Sequence, residues 1–112
     1  MYEYNCEVER VIDGDTVVLT IDLGIWTQVV HEHVRLLGIN APELRSSDPA
    51  VRIDAKASKQ FLIDQLDGQV VTVKTEKDKS GKYGRLLGTL FVGDKNINEL
   101  MVSAGYAVYQ NY

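Results

Sequence analysis

Across 112 residues there is 1 cysteine, Cys6, and there are 2 prolines and 1 tryptophan. A lone thiol excludes a disulfide framework and any cysteine-rich zinc site, and leaves a small buried side chain as its ordinary use. Long apolar runs are missing too. No stretch reaches the ~18 residues of a membrane span, so no membrane association is expected. The opening Met-Tyr-Glu-Tyr-Asn-Cys-Glu has neither a basic n-region nor an apolar h-region, which predicts a cytoplasmic protein. An excess of positive charge is also lacking. The net charge of -4 has the wrong sign for gripping a polyanion by bulk electrostatics. What remains is ordinary: 45% hydrophobic and 25% charged residues fit a globular chain, and the length fits one domain, 1–112, without repeats or low-complexity segments.

The charge is nonetheless segregated. Lys74, Lys77, Lys79, Lys82 and Arg85 against Glu76 and Asp78 make a local +3 in residues 74–85, leaving -7 on the rest. A solvated, lysine-rich hairpin accounts for this on charge alone, with one wall of a phosphate site as the alternative.

Residue patterns predict three strands first. Val8, Val11 and Ile12 precede the turn Asp13-Gly14-Asp15, and the β-branched run Thr16 to Ile21 follows. Asp22-Leu23-Gly24 breaks that run, and Thr27 to Ile39 reads as a third strand ended by Asn40-Ala41-Pro42. Arg45 to Pro49 reads as loop. A helix is then expected from Asp54 to Leu66, with Ala57, Phe61, Leu62 and Leu66 on its apolar side, before Gly68. Val70 to Thr75 and Arg85 to Val92 read as a second hairpin. Asn96 and Glu99 have capping-box spacing ahead of Ile97, Leu100, Met101 and Ala104, a stripe closed by Gly105. Five strands with a helix between the third and fourth predict a mainly β fold with α, a five-stranded Greek-key barrel of the oligonucleotide-binding (OB) type carrying two packed helices. An open sheet with helices on one face is the alternative.

Candidate chemistry sits where strands end. Asp13 and Asp15 flank a tight turn that Asp and Gly would also form for purely local reasons. Arg35 interrupts the apolar Val34, Leu36, Leu37, and a guanidinium there must meet a substrate anion or an internal carboxylate. Glu43 follows Pro42, and Arg85 follows Lys82-Tyr83-Gly84. Two arginines, two carboxylates and an amide oxygen supply what phosphodiester hydrolysis needs: charge neutralisation at the non-bridging oxygens and a base for the nucleophile. His31 and His33 share a strand face that Arg35 extends if no bulge intervenes, without an obvious third zinc ligand. Trp26, beside a turn, reads as an anchor over the barrel mouth, with base stacking as the alternative.

Taken together, Val11-Ile12-Asp13-Gly14-Asp15-Thr16-Val17, then Val34 to Glu43, then Lys82-Tyr83-Gly84-Arg85, and finally Asn98 to Val102 with Ala104 to Ala107, resemble the staphylococcal nuclease-like (thermonuclease) family in order and over nearly the whole chain. The resemblance implies an OB barrel and Ca2+-dependent cleavage of DNA and RNA, preferentially single-stranded or frayed, leaving 3'-phosphate ends. It implies that Asp15, Asn40 and Ala41 lie at the metal, that Arg35, Glu43 and Arg85 are catalytic, and that Lys82, Tyr83, Tyr109 and Tyr112 contact the nucleotide.

Three departures stand out. Asn40 replaces the family's second metal-binding aspartate and removes a negative charge, which weakens metal affinity. Ala41 replaces a threonine but keeps the backbone carbonyl. The chain stops at Tyr112, so the family's third helix is missing, and uncovered apolar surface there predicts self-association through the C-terminal region. An intracellular or phage-encoded endonuclease is the leading expectation. The alternatives are a catalytically weak or inactive nucleic-acid-binding module and a protein-interaction domain.

Overall fold

A computed structural model describes residues 2–77 and 86–110. In chain order the elements are β1 (Tyr2–Asp13), β2 (Thr16–Gly24), β3 (Thr27–Leu36), β4 (Ile39–Asn40), α1 (Pro49–Leu66), β5 (Val71–Lys77), β6 (Leu86–Val92), β7 (Lys95–Asn96), α2 (Ile97–Ser103) and β8 (Val108–Tyr109). The long β1 belongs to two hairpin systems. Its residues 2–6 pair with β5, and its residues 6–13 pair with β2. β2 pairs with β3 and β5 with β6, all antiparallel, and a short parallel ladder of Val34, Arg35 and Leu36 against Leu86, Leu87 and Gly88 closes the ring. The result is the expected five-stranded OB barrel with two helices, and not an open sheet.

Inward positions follow the two-residue strand period. Val17, Leu19 and Ile21 of β2 meet Val34 and Leu36 of β3, Val73 of β5 and Leu90 of β6, all essentially without solvent contact. Leu62 and Leu66 of α1 and Ile97 and Met101 of α2 seal the same core. Each buried aliphatic side chain contributes about 1.5–3 kcal/mol. Gly88 lets β6 come this close: a Cβ there would stand 2.8 Å from Val34 and 2.9 Å from Val73 side-chain atoms.

Several boundaries differ from the sequence reading. α1 starts at Pro49 and not at Asp54, because the Asp48 side chain accepts from Ala50 N–H at 2.9 Å and proline suits the first helical turn. Its buried face is Ala55, Ser58, Leu62 and Leu66, while Ala57 is exposed. The third strand is interrupted after Leu36. Gly38 takes φ +80, and Asn40 restarts as β4 against β8. The Asn96 cap forms as the spacing predicts, its side chain accepting from Glu99 N–H at 3.0 Å.

A bulge separates His31 from His33 and Arg35. Between the pairs Leu19 with Glu32 and Ile21 with Val29, β3 carries one residue more than β2, and His31 there has φ +56. Glu9, itself a bulge residue of β1, accepts from His31 N–H at 2.7 Å and Thr20 Oγ1 at 2.8 Å, and its other oxygen lies 2.6 Å from His31 Nδ1. These hydrogen bonds, the Thr20 one first, lower the Glu9 pKa. The His31, His33, Arg35 alternation is therefore broken, and among the described residues no group of three His, Cys, Asp or Glu gathers for a metal. Trp26 does not anchor the barrel mouth: it stands fully exposed at the tip of the β2–β3 turn. Cys6 is the inert thiol expected, since burial pushes its pKa up to about 11.

Candidate active site

The β1–β2 turn, the end of β3 and the start of β4 converge at one end of the barrel. Asp13 Oδ1 accepts from Asp15 N–H at 3.0 Å and so bends the turn on itself. Gly14 is a steric requirement, because a Cβ there would lie 2.8 Å from the Cβ atoms of both Ala41 and Ser58. Asp15 is thereby held in the interior, where its Oδ2 accepts from Ala41 N–H at 2.8 Å and its Oδ1 from Thr16 Oγ1 at 3.0 Å.

Arg35 resolves its burial by an ion pair. Nη1 lies 3.2 Å from Asp15 Oδ2 and donates to the carbonyls of Asp15 and Leu36 at 3.3 Å each. Nη2 donates to the Asn40 side-chain oxygen at 3.2 Å. Asp15 and Arg35 are each 7% exposed, so the attraction acts where water screens it poorly. Four of the residues proposed from sequence, Asp15, Arg35, Asn40 and Ala41, thus meet directly. Glu43 follows on the same segment with an exposed side chain, and its carbonyl accepts from Ser46 N–H at 3.2 Å. Tyr109 is 69% exposed on β8, whose backbone pairs it with Ile39. Lys82, Tyr83, Arg85 and Tyr112 lie outside the described residues.

Residues to which the sequence reading gave no role of their own support this cluster. Asn98 of α2 is buried and donates through Nδ2 to the carbonyls of Leu37 and Gly88 at 3.0 Å, while its Oδ1 accepts from Leu90 N–H at 3.1 Å. Ser58 donates to the Tyr106 carbonyl at 2.7 Å, and the Tyr106 ring stacks on Phe61 at 4.3 Å. The one available signal was a polar residue within each helical pattern, and that is weak. A cavity of about 430 Å³ borders the cluster, lined by Asn40, Ala41, Pro42, Ser58, Tyr106 and Val108 among others. A larger groove of about 540 Å³ between β1 and α1 contains none of the cluster residues.

Asp13 is the electrostatic irregularity. Burial first, then its contact with the Asp15 carboxyl, raises its pKa from 3.8 to about 6, and Arg35 only partly opposes this. The folded chain therefore keeps a proton that the unfolded chain releases in the interval between those values. Stability falls as pH rises across it, and the full loss applies above the upper limit. Asp13→Asn keeps an oxygen for the Asp15 N–H. In chelator, the variant is expected to exceed the parent in stability above that limit, with the difference vanishing at acid pH. Urea unfolding at both ends of the range checks this, and equal stability at both would contradict the uncompensated charge.

The profile described as "Staphylococcal nuclease homologue" matches residues 33–112. The chain belongs to the staphylococcal nuclease family. It is similar to the thermonuclease of Staphylococcus intermedius, 33% identical over 100 residues that form 89% of this chain and 56% of that protein. It is similar to the thermonuclease of Staphylococcus hyicus, 29% identical over 105 residues that form 94% of this chain and 59% of that one. Endonuclease YhcR of Bacillus subtilis is 31% identical over 112 residues, 94% of this chain and 9% of YhcR. This nuclease-family chain thus spans little more than half of either thermonuclease.

The donor set at this staphylococcal nuclease-like site fits a hard cation. The Asp15 carboxylate, the Asn40 amide oxygen and the Ala41 carbonyl are oxygen ligands of the kind calcium takes.

Proposed function

We propose that this chain is a calcium-dependent phosphodiesterase that cleaves DNA and RNA endonucleolytically, preferring single-stranded or frayed regions and leaving 3'-phosphate ends. One observation carries the reading: Asp15, Arg35, Asn40 and Ala41, distant along the chain, meet in one polar cluster at an end of the barrel, and the segment that brings Asn40 and Ala41 there continues to Glu43, whose side chain is exposed. Planar guanidinium forks match phosphate oxygens in geometry and charge, so Arg35 and, in this reading, Arg85 hold the non-bridging oxygens of the scissile phosphate. Asp15 orients Arg35 and, with Asn40 and Ala41, would hold calcium, which when bound supplies further neutralisation of phosphate charge. Glu43, in solvent, takes the proton of the attacking water. Lys82, Tyr83, Tyr109 and Tyr112 are assigned to nucleotide contacts. Self-association through the C-terminal region stays part of the proposal, with Val108 and Tyr109 of β8 as its exposed apolar side chains.

Incubation with single-stranded DNA and calcium is expected to give cleavage that chelator abolishes. Glu43→Ala is expected to reduce the rate about 10²- to 10⁴-fold with binding retained. No cleavage, or cleavage indifferent to both changes, would overturn the proposal. The second reading, a binding module without turnover, is favoured by Asn40 where a carboxylate would add charge. It predicts metal-free binding with a steep salt slope and no cleavage.

A further inference from the structure

The turn between β2 and β3 is built against local preference. Gly24 pairs with Thr27, so Ile25 and Trp26 are the two turn residues, with φ +51 and +58. Two-residue turns with positive φ at both positions favour Asn-Gly. A β-branched residue and a bulky one are poorly suited to that backbone. Strain of this kind is retained where the side chains are used. Neither side chain rests on the body of the protein: Ile25 is 92% and Trp26 102% exposed.

Size and charge decide what fits this tip. The two side chains offer roughly 400 Å² of apolar surface, about half of the ~800 Å² per partner in a standard protein interface. Between Val11 and Val34 the sequence has no lysine or arginine, so nothing there attracts anionic lipid headgroups. One indole face does match a nucleobase, because stacking is a contact with the base alone, and the phosphate charge of such a strand has to be met away from the tip, at the arginine end of the barrel. The same hairpin bears Thr16 paired with Arg35 at its base, and the 9 residues of β2 put the tip about 27 Å away at strand rise. The contacts of Glu9 with His31 and Thr20 brace the hairpin against β1.

We propose that Trp26, flanked by Ile25, stacks an unpaired base of the nucleic-acid strand whose scissile phosphate lies at Arg35. This rests on the nuclease reading and adds a contact distant from the chemistry. Only unstacked bases offer both faces, so the contact favours single strands over duplex, without a sequence code.

Trp26 is the only tryptophan, so its emission reports the contact directly. In chelator, a long oligothymidylate is expected to quench it and a thymidine dinucleotide is not. Trp26→Ala and Trp26→Gly, the latter suited to the positive φ, are each expected to weaken binding of the long oligomer about 5- to 100-fold. The salt slope and the calcium-dependent cleavage of short substrate should stay unchanged. Wild-type affinity in both variants would overturn the stacking role while leaving the nuclease reading intact. Emission that answers to protein concentration or zwitterionic vesicles, and not to the oligomer, would also overturn it by assigning the tip to a second copy or a bilayer. Failure to bind or cut oligomers of any length would remove the nuclease reading and the stacking contact together.

Discussion

Asp15→Asn is expected to lower stability by about 3–5 kcal/mol, the usual cost of stripping the partner from a buried charge, and to reduce cleavage at least 10²-fold. Asparagine has nearly the same shape and can still accept from Thr16 or Ala41, so the packing around the turn survives. What it cannot do is neutralise Arg35, whose side chain is 9% exposed. Asp13 limits the damage. With the like charge at position 15 gone, its carboxyl ionises more readily and becomes the nearest counter-charge, which places the expected loss at the lower end of the range. Urea unfolding should show a lower midpoint with an unchanged slope. The double variant Asp15→Asn with Arg35→Met separates the two roles. Replacing both partners by uncharged groups is often nearly neutral, so stability should largely return while cleavage stays lost. A single variant as stable as the parent would mean that the ion pair is solvated and does not organise the site.

Much of this architecture was legible because local signals and tertiary needs agree. Asp13-Gly14-Asp15 reads as a turn and is one, Asn96 caps α2 as its spacing predicts, and the β-branched run from Thr16 to Ile21 is the strand β2. Arg35 within an apolar strand announced a buried anion, although sequence left open whether that anion was a substrate or a carboxylate of the chain. Asp15 fills that role in the structure. The misses have physical causes. Helix periodicity begins to show only where a face is buried, so the solvent-facing first turn of α1 after Asp48 was assigned to a loop despite Pro49. Bulges add a residue without changing composition, which hid the break between His31 and Arg35. Trp26 was assigned to the barrel because apolar side chains generally seek burial, and a turn holds it outward instead. Gly14 signals a turn in sequence, but its second duty, letting Ala41 and Ser58 approach, depends on contacts remote in the chain.

Asn98→Ala is expected to cost about 2–6 kcal/mol, a large share of the 5–15 kcal/mol that stabilises a small domain. Its amide serves three backbone groups at once: the Leu37 carbonyl, the Gly88 carbonyl and the Leu90 N–H. Gly88 O keeps the Leu37 N–H as a partner at 2.8 Å, so two groups, Leu37 O and Leu90 N–H, lose their Asn98 bonds, at about 1–3 kcal/mol each where buried. Asn98→Asp should be worse than alanine at neutral pH, because it sets a carboxylate oxygen against two carbonyls while still accepting from Leu90. Leu37 lies between Arg35 and Asn40, and its attachment to α2 and β6 fixes the bend that returns Asn40 to the guanidinium. A loosened bend should therefore lower cleavage even at temperatures where circular dichroism shows the variant folded. Faster hydrogen exchange at the Leu90 amide than at Leu19 would locate the opening at this joint. Near-parental stability in Asn98→Ala would show that water replaces the amide without loss, and the joint between α2, β6 and the β3–β4 bend would then have to rest on the packing of Ile97 and Met101 alone.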